Sequence, residues 1–286
     1  EEANLNAYPW EQCVKILNPL SSDLGVMRQT LLFGGLESIR RNINRKAANL
    51  KFFEVGNTYK YEKEKWSEEN PIKAYQQEYH LALWITGKRV QGSWAHADEE
   101  SSFYELEANV ENILRRIGIV QNALTTEASD NNIFDKGLTL KTRGGKTIVE
   151  MGILSHKLLK KMDIAQTVFY ADIHWTNLMK AIRKNKLQFQ ELSKYPSVSR
   201  DLALLLDSNI EFAQIEEIAR QTEKKLLKKV ELFDVYEGKN LPEGKKSYAV
   251  NFILQDETKT LNDKAIDAIM QKLIKNITTK LGAELR

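Results

Sequence analysis

The apolar residues after position 187 change spacing in a set order, and that order restricts the fold more than any other feature of the chain. Leu202, Leu204 and Leu206 recur at every second position, as in a strand with one buried face. Phe212, Ile215, Ile218, Ala219, Thr222 and Leu226 recur at three- and four-residue steps, the stripe of an amphipathic helix. Val230–Tyr236 and Lys246–Gln255 read as two further strands joined by the loop 238–244. Asn262, a residue type that caps helix starts, precedes a second helical stripe of Ile266, Ile269, Met270, Leu273, Ile274, Ile277 and Leu281. Ala283–Leu285 gives a short fourth strand. The order is βαββαβ. With right-handed crossovers it folds as a ferredoxin-like sandwich, with two helices on one face of four strands and the other face open. RNA-recognition modules, metal carriers and regulatory domains all use this topology, so topology alone leaves function undecided.

The preceding residues carry a different pattern. Val14–Leu17 reads as a strand closed by the turn Asn18-Pro19-Leu20-Ser21-Ser22. Leu32, Leu36, Ile39 and Ile43 predict a helix over about 31–46, with Arg40, Arg41, Arg45 and Lys46 near its end, where cations complement the helix dipole. Leu50–Glu62 and His80–Thr86 read as strands, and Phe103–Ile117 as an amphipathic helix. Leu138–Lys141 and Thr147–Leu154 flank a turn at Arg143–Lys146, then a helix at Lys157–Met162, a strand at Val168–Ile173 and a helix at Trp175–Arg183 follow. The polar stretch 184–186 ends this region. The chain is expected to be α+β throughout, with domains at 1–186 and 187–286.

Composition narrows the function classes. The 286 residues are 42% hydrophobic and 28% charged, the profile of a folded chain. No apolar run approaches the ~18 residues of a membrane span, and no leader pattern is present, so a cytoplasmic protein without membrane contact is expected. One cysteine, Cys13, excludes an internal disulfide framework. It and four scattered histidines show no zinc spacing, so no metal ligands are assigned. The net charge of +3 is small, and residues 191–286 carry sixteen basic and sixteen acidic side chains, so RNA binding there would use a local surface. The start at Glu1-Glu2, without Met, suggests a piece of a longer protein.

No catalytic residue is assigned. Ser155-His156 are adjacent, and neighbours in sequence rarely face each other as nucleophile and base; Ser155 reads as a helix N-cap. His80 lies in an apolar strand and reads as a satisfied core histidine. Gly34-Gly35, inside a helical pattern, reads as close packing or a kink. Asp98-Glu99-Glu100 reads as a solvated loop.

Alternation sorts the ferredoxin-like strands into faces. Tyr248, Val250, Phe252 and Leu254 should meet the helices, leaving Ser247, Ala249, Asn251 and Ile253 outward. Phe233 and Val235 should point inward, leaving Leu232, Asp234 and Tyr236 on the open face. An exposed tyrosine among small polar neighbours is a platform on which a base stacks for about 1–3 kcal/mol. Ser247 and Asp234 would add base-edge hydrogen bonds, and Asn251 is counted with them as an RNA-binding residue. Arg200 opens the first strand, either toward phosphate or toward a carboxylate at the strand end. Lys224-Lys225 and Lys228-Lys229 are read as a solvated face of the first helix.

Ile16-Leu-Asn-Pro-Leu-Ser21, Val26-Met-Arg-Gln-Thr-Leu-Leu32 and Phe53-Glu-Val-Gly-Asn-Thr-Tyr59 resemble the family of bacterial phenylalanine–tRNA ligase β subunits. So do Gly152-Ile-Leu-Ser-His156, Tyr195-Pro-Ser-Val-Ser-Arg-Asp-Leu202, Leu232-Phe-Asp-Val-Tyr-Glu-Gly238 and Leu241-Pro-Glu-Gly-Lys-Lys-Ser-Tyr248. The resemblance implies a class II synthetase-like antiparallel-sheet module followed by an anticodon-binding domain. It also implies an α subunit partner that carries the chemistry, an α2β2 assembly, and ATP and Mg2+ for the holoenzyme, with no cofactor in this chain. Tyr236 and Ser247 match the family positions that meet the first anticodon base. Class II sites hold ATP with an Arg-x-Glu strand and a Gly-x-Gly-x-x-Arg junction. The matching stretches here read Lys60-Tyr61-Glu62 and Phe169–Trp175, without arginine's bidentate fork, so the module keeps the fold without the chemistry. The rivals are a free-standing RNA-binding or regulatory protein with a degenerate synthetase-like domain and, third, a catalytic class II enzyme.

Overall fold

The computed structural model describes residues 8–21, 24–119, 123–183, 193–238 and 241–286. The chain divides into two units, Glu1–Leu187 and Gln188–Arg286. The expected boundary at 186/187, the polar stretch 184–186, Ser22 of the expected turn and residues 239–240 of the expected loop lie outside the described residues.

In the first unit, α1 (Leu32–Asn44) precedes β1 (Leu50–Tyr61) and β2 (Tyr75–Thr86). A small hairpin of β3 (Lys88–Val90) and β4 (Glu99–Glu100) leads to α2 (Phe103–Arg116). Then come β5 (Leu124–Ala128), β6 (Phe134–Thr142), β7 (Thr147–Leu154), α3 (His156–Lys161), β8 (Val168–His174) and α4 (Trp175–Ile182). The large sheet has the order β1-β2-β8-β7-β6-β5, every pair antiparallel.

Both faces of this sheet are covered, which is why β8 is buried at six consecutive positions. On one face Leu32, Leu36 and Ile39 of α1 and Leu158 and Leu159 of α3 pack on Trp84, Tyr170 and Leu154. On the other, Leu106, Val110 and Leu114 of α2 and Leu178 of α4 pack on Leu81, Ile85, Val149 and Ile173. Each such side chain removed from water contributes about 1.5–3 kcal/mol. Gly35 allows α1 to sit directly on Trp84: a Cβ there would stand 2.2 Å from the indole. Ser155 caps α3, its Oγ accepting from the Leu158 amide at 3.2 Å.

Three expectations for this unit change. Val14–Leu17 forms a single bridge, Lys15 to Val26, rather than a strand. The first helix stops at Asn44, and Lys46 adopts φ +66° beyond it. β5 and the β3–β4 hairpin, absent from the sequence reading, are exposed and carry little apolar signal.

The second unit comprises β9 (Val198–Asp207), α5 (Phe212–Thr222), β10 (Leu227–Tyr236), β11 (Lys245–Leu254), α6 (Asp263–Leu281) and β12 (Glu284–Leu285). Its sheet order is β10-β11-β9-β12, antiparallel throughout, the ferredoxin-like arrangement in which β11 inserts between the two strands that α5 connects. Leu204, Leu206, Val250, Phe252 and Leu254 meet Ile215, Ala219, Ile266, Leu273 and Ile277 in one core. Asn262 caps α6 through Oδ1, which accepts from the Ala265 amide at 2.9 Å, and Gly282 closes it at φ +63°.

α5 ends at Thr222, four residues before the apolar stripe does. Glu223 is already extended, and its carboxylate accepts from the amides of Lys225 and Leu226. Lys224-Lys225 therefore lie in a turn and Lys228-Lys229 on β10, not on a helix face. A β-bulge between Leu232 and Asp234 breaks the alternation of β10. Leu232 pairs with Val250 and packs on the core, while Phe233, expected inside, is 59% exposed. Val235, also expected inside, is half exposed at the strand end. Asp234 and Tyr236 keep the open face, opposite Ala249 and Ser247.

Candidate functional sites

Two regions gather polar side chains onto a sheet face. The first is the open face of the ferredoxin-like unit. Register places Tyr236 beside Ser247 and Ser247 beside Leu205, Asp234 beside Ala249, and Asn251 between Glu231 and Asp201. Tyr236 is 37% exposed, and the Arg286 guanidinium lies 5.5 Å from its ring centroid. Gly238 packs against the same ring; a Cβ there would stand 2.4 Å from the Tyr236 hydroxyl. The ring is thus flanked by a cation on its face and by a backbone, and stays partly exposed. Asp234 is exposed beside it.

The other expected residues are less available. Ser247 faces the open side by register but is only 7% exposed, because it sits between larger neighbours on both adjoining strands. Asn251 donates to Asp201 at 2.5 Å and to Ser199, so its amide is already engaged. Arg200 pairs in register with Phe252, on the helix side, and its guanidinium lies 3.9 Å from Asp263 at the start of α6. Arg286 and Gly238, which position Tyr236, were not singled out in the sequence; the short β12, which places residue 286 near the sheet, was the available signal.

The second region lies on the α1 side of the large sheet, beyond Trp84 and Tyr170. Strand alternation carries Glu78 and His80 of β2, Asp172 and His174 of β8 and Glu150 of β7 to one face. His80 is buried, and its Nδ1 lies 2.8 Å from Asp172 Oδ1. Its Nε2 lies 3.5 Å from Glu78 Oε2. The rings of His80 and His174 are 4.6 Å apart. His174 Nδ1 lies 3.9 Å from Glu78 Oε2 and its Nε2 4.0 Å from Glu150 Oε2. Burial opposes the charging of His80, but hydrogen bonds to Asp172 and Glu78 outweigh it and push its pKa up to about 9. The hydrogen bond from His80 holds Glu78 down to about 2, against its partial burial. His80 is a satisfied buried histidine, as expected, but it belongs to a larger cluster that the sequence spacing did not show.

The same face has few cations. Lys60, of Lys60-Tyr61-Glu62, is the lysine whose field reaches Glu78. Arg28 lies across Gly56 of β1 with its Nη1 2.5 Å from Glu54 and its Nε donating to the Asn57 carbonyl. Phe169–Trp175 runs from β8 into α4 and contributes a carboxylate and an imidazole rather than a guanidinium. The face thus carries Glu54, Glu78, Glu150 and Asp172, with Arg28 already paired to Glu54 and His80 to Asp172.

The two units define a class: an α+β chain in which a helix-flanked antiparallel sheet precedes a ferredoxin-like sandwich with an open, tyrosine-bearing face. Residues 1–175 match the model of the phenylalanyl tRNA synthetase beta chain CLM domain, and residues 193–286 match the ferredoxin-fold anticodon binding domain. The chain belongs to the phenylalanyl tRNA synthetase beta chain family. It is 57% identical over 282 residues to the phenylalanine–tRNA ligase beta subunit of Bacteroides fragilis, covering 99% of this chain and 34% of that protein. The namesake subunits of Bacteroides thetaiotaomicron and Porphyromonas gingivalis are 58% and 49% identical over the same shares. The chain thus spans about a third of the length of these relatives. Among the described residues no helix is long and apolar enough to cross a membrane.

Proposed function

We propose that this chain serves as the subunit-docking and anticodon-gripping part of a phenylalanine–tRNA ligase β subunit. The ligase joins phenylalanine to its tRNA with ATP and Mg2+, and the chemistry lies in the α subunit, within an α2β2 assembly. The observation that carries this reading is the pairing, on one chain, of the family's sheet module with an anticodon-binding-type sandwich whose open face presents Tyr236.

Two features of the first unit support a docking role without catalysis. Its sheet face is acidic where a class II site needs cations for ATP. Its β1 edge has no strand partner on its outer side in this sheet, and it carries Phe53, 73% exposed, with Val55 beside it on the α2 face. Arg28 engages the backbone of this edge at Asn57 and Tyr59, and the part of the edge around Phe53, flanked by exposed apolar side chains, is a surface that another chain covers. On the second unit, Tyr236 stacks a base while Asp234 reads its edge; Ser247 lies opposite Tyr236 on the neighbouring strand.

The test is binding of a labelled phenylalanine-tRNA anticodon stem-loop to the native chain and to Tyr236→Ala, at two salt concentrations. The expected result is a preference for the cognate loop and a loss of about 1–3 kcal/mol in the variant. Equal binding by both proteins to cognate and scrambled loops would show that Tyr236 is not the platform.

A further inference from the structure

We propose that Glu78, His80 and His174 form a binding site for a divalent transition-metal ion of zinc type on the first unit's sheet. One ring nitrogen of each histidine and a Glu78 carboxylate oxygen all lie within 4.8 Å of one another. Around Glu78 Oε2 the donors are 3.5 Å away at His80 Nε2 and 3.9 Å away at His174 Nδ1. A tetrahedral zinc ion with bonds of roughly 2.0–2.2 Å sets donor–donor edges of about 3.3–3.6 Å. The two edges at Glu78 are already near that size, and its 46% exposed side chain is free to adjust, while the edge between the two imidazoles, within 4.8 Å, closes by a small ring rotation.

The surroundings match what such an ion requires of its ligands. A metal-bound histidine donates its other ring N–H to a carboxylate, which fixes the ring and raises its basicity. With His80 ligating through Nε2, its Nδ1–H points at Asp172 Oδ1, 2.8 Å away. With His174 ligating through Nδ1, its Nε2–H faces Glu150 Oε2 at 4.0 Å. That Nε2 is buried and has no hydrogen-bond partner. Two imidazoles, one backed by Asp172 and the other with Glu150 4.0 Å away, thus converge on a third carboxylate. Each residue is set by strand register: His80 opposes His174 across β2–β8, and Glu150 opposes Asp172 across β7–β8. The three carboxylates leave a deficit of positive charge that a divalent ion makes up, and the exposed side of Glu78 leaves an entry path and a fourth coordination position for water.

The site is independent of the anticodon surface, so its test does not depend on RNA. The chain is stripped with a chelator, the chelator is removed, and Zn2+ is titrated by calorimetry. Co2+ is added in parallel and followed by its visible absorption, which reports tetrahedral coordination. The expected result is one equivalent of Zn2+ bound by the native chain. Glu78→Gln and His174→Ala should each weaken binding at least tenfold and abolish the tetrahedral Co2+ spectrum. His96→Ala, in an exposed loop, should leave both unchanged. Glu78 is exposed, so its variant tests the site without loss of the fold. Absence of saturable binding by the native chain, or equal binding by Glu78→Gln, His174→Ala and His96→Ala, overturns the proposal.

Discussion

Replacing Gly35 with alanine sets two forces on α1 against each other. In an exposed helix interior the change would stabilise the fold by about 0.8–1.0 kcal/mol, because alanine loses less backbone entropy on folding. At this position the new Cβ would stand 2.2, 2.4 and 2.7 Å from Trp84 Cε2, Cζ2 and Cδ2. Ordinary contact begins near 3.4 Å, so the helix or the indole must retreat by roughly 1 Å. Trp84 is fully buried, and its ring lies 5.4 Å from that of Tyr170, so it has little room to move. Overpacking of this kind costs about 1–3 kcal/mol, and the depth of the clash places it toward the upper end. The net expectation is a destabilisation of about 1–2 kcal/mol. The assay is unusually direct. All five tryptophans, at 10, 66, 84, 94 and 175, lie in the first unit, so fluorescence during urea unfolding reports that unit alone. With a urea slope of about 1–3 kcal/mol/M, the midpoint should fall by roughly 0.5–1 M. A Trp84→Leu background should remove most of the penalty. A midpoint for Gly35→Ala equal to or above that of the native chain would mean that helix propensity prevails and that α1 does not bear directly on Trp84.

Two further outcomes follow from the second unit. Gly238→Ala should push the Tyr236 ring aside, lowering anticodon stem-loop affinity in the same direction as Tyr236→Ala while leaving the unit's unfolding midpoint unchanged. Asn262→Ala should cost about 1 kcal/mol and speed hydrogen exchange at the Ala265 amide, which loses its side-chain acceptor; unchanged exchange there would mean that the cap contributes nothing.

Much of this fold was legible because the relevant signals are local. The caps at Ser155 and Asn262 act over three residues, and the alternation of β11 is unbroken from Tyr248 to Leu254, so both were read from the chain itself. The α5 stripe was legible but its end was not: Leu226 keeps the helical spacing and packs on the core from a turn, because Glu223 offers its carboxylate to the following amides instead of continuing the helix. The bulge at Phe233 left no trace in composition, since an aromatic residue suits either face. The His80 cluster was hidden for a different reason. Its members come from three strands, and no metal-like spacing joins them along the chain. What the chain does show is Glu78-x-His80 and Asp172-x-His174, two pairs at strand period, each of which places both members on one face.

The bulge in β10 also means that the strand runs in two phases. Up to Leu232 its inward positions are counted from Val230; from Asp234 onward its outward positions are counted from the partner strand, through Ala249 and Ser247. Phe233, between the two, belongs to neither count. Without it, Val230, Leu232 and Val235 would stand inward and Glu231, Asp234 and Tyr236 outward in uniform alternation. The tyrosine's aim is therefore set by its pairing with Ser247 of β11 rather than by the alternation that starts at Val230.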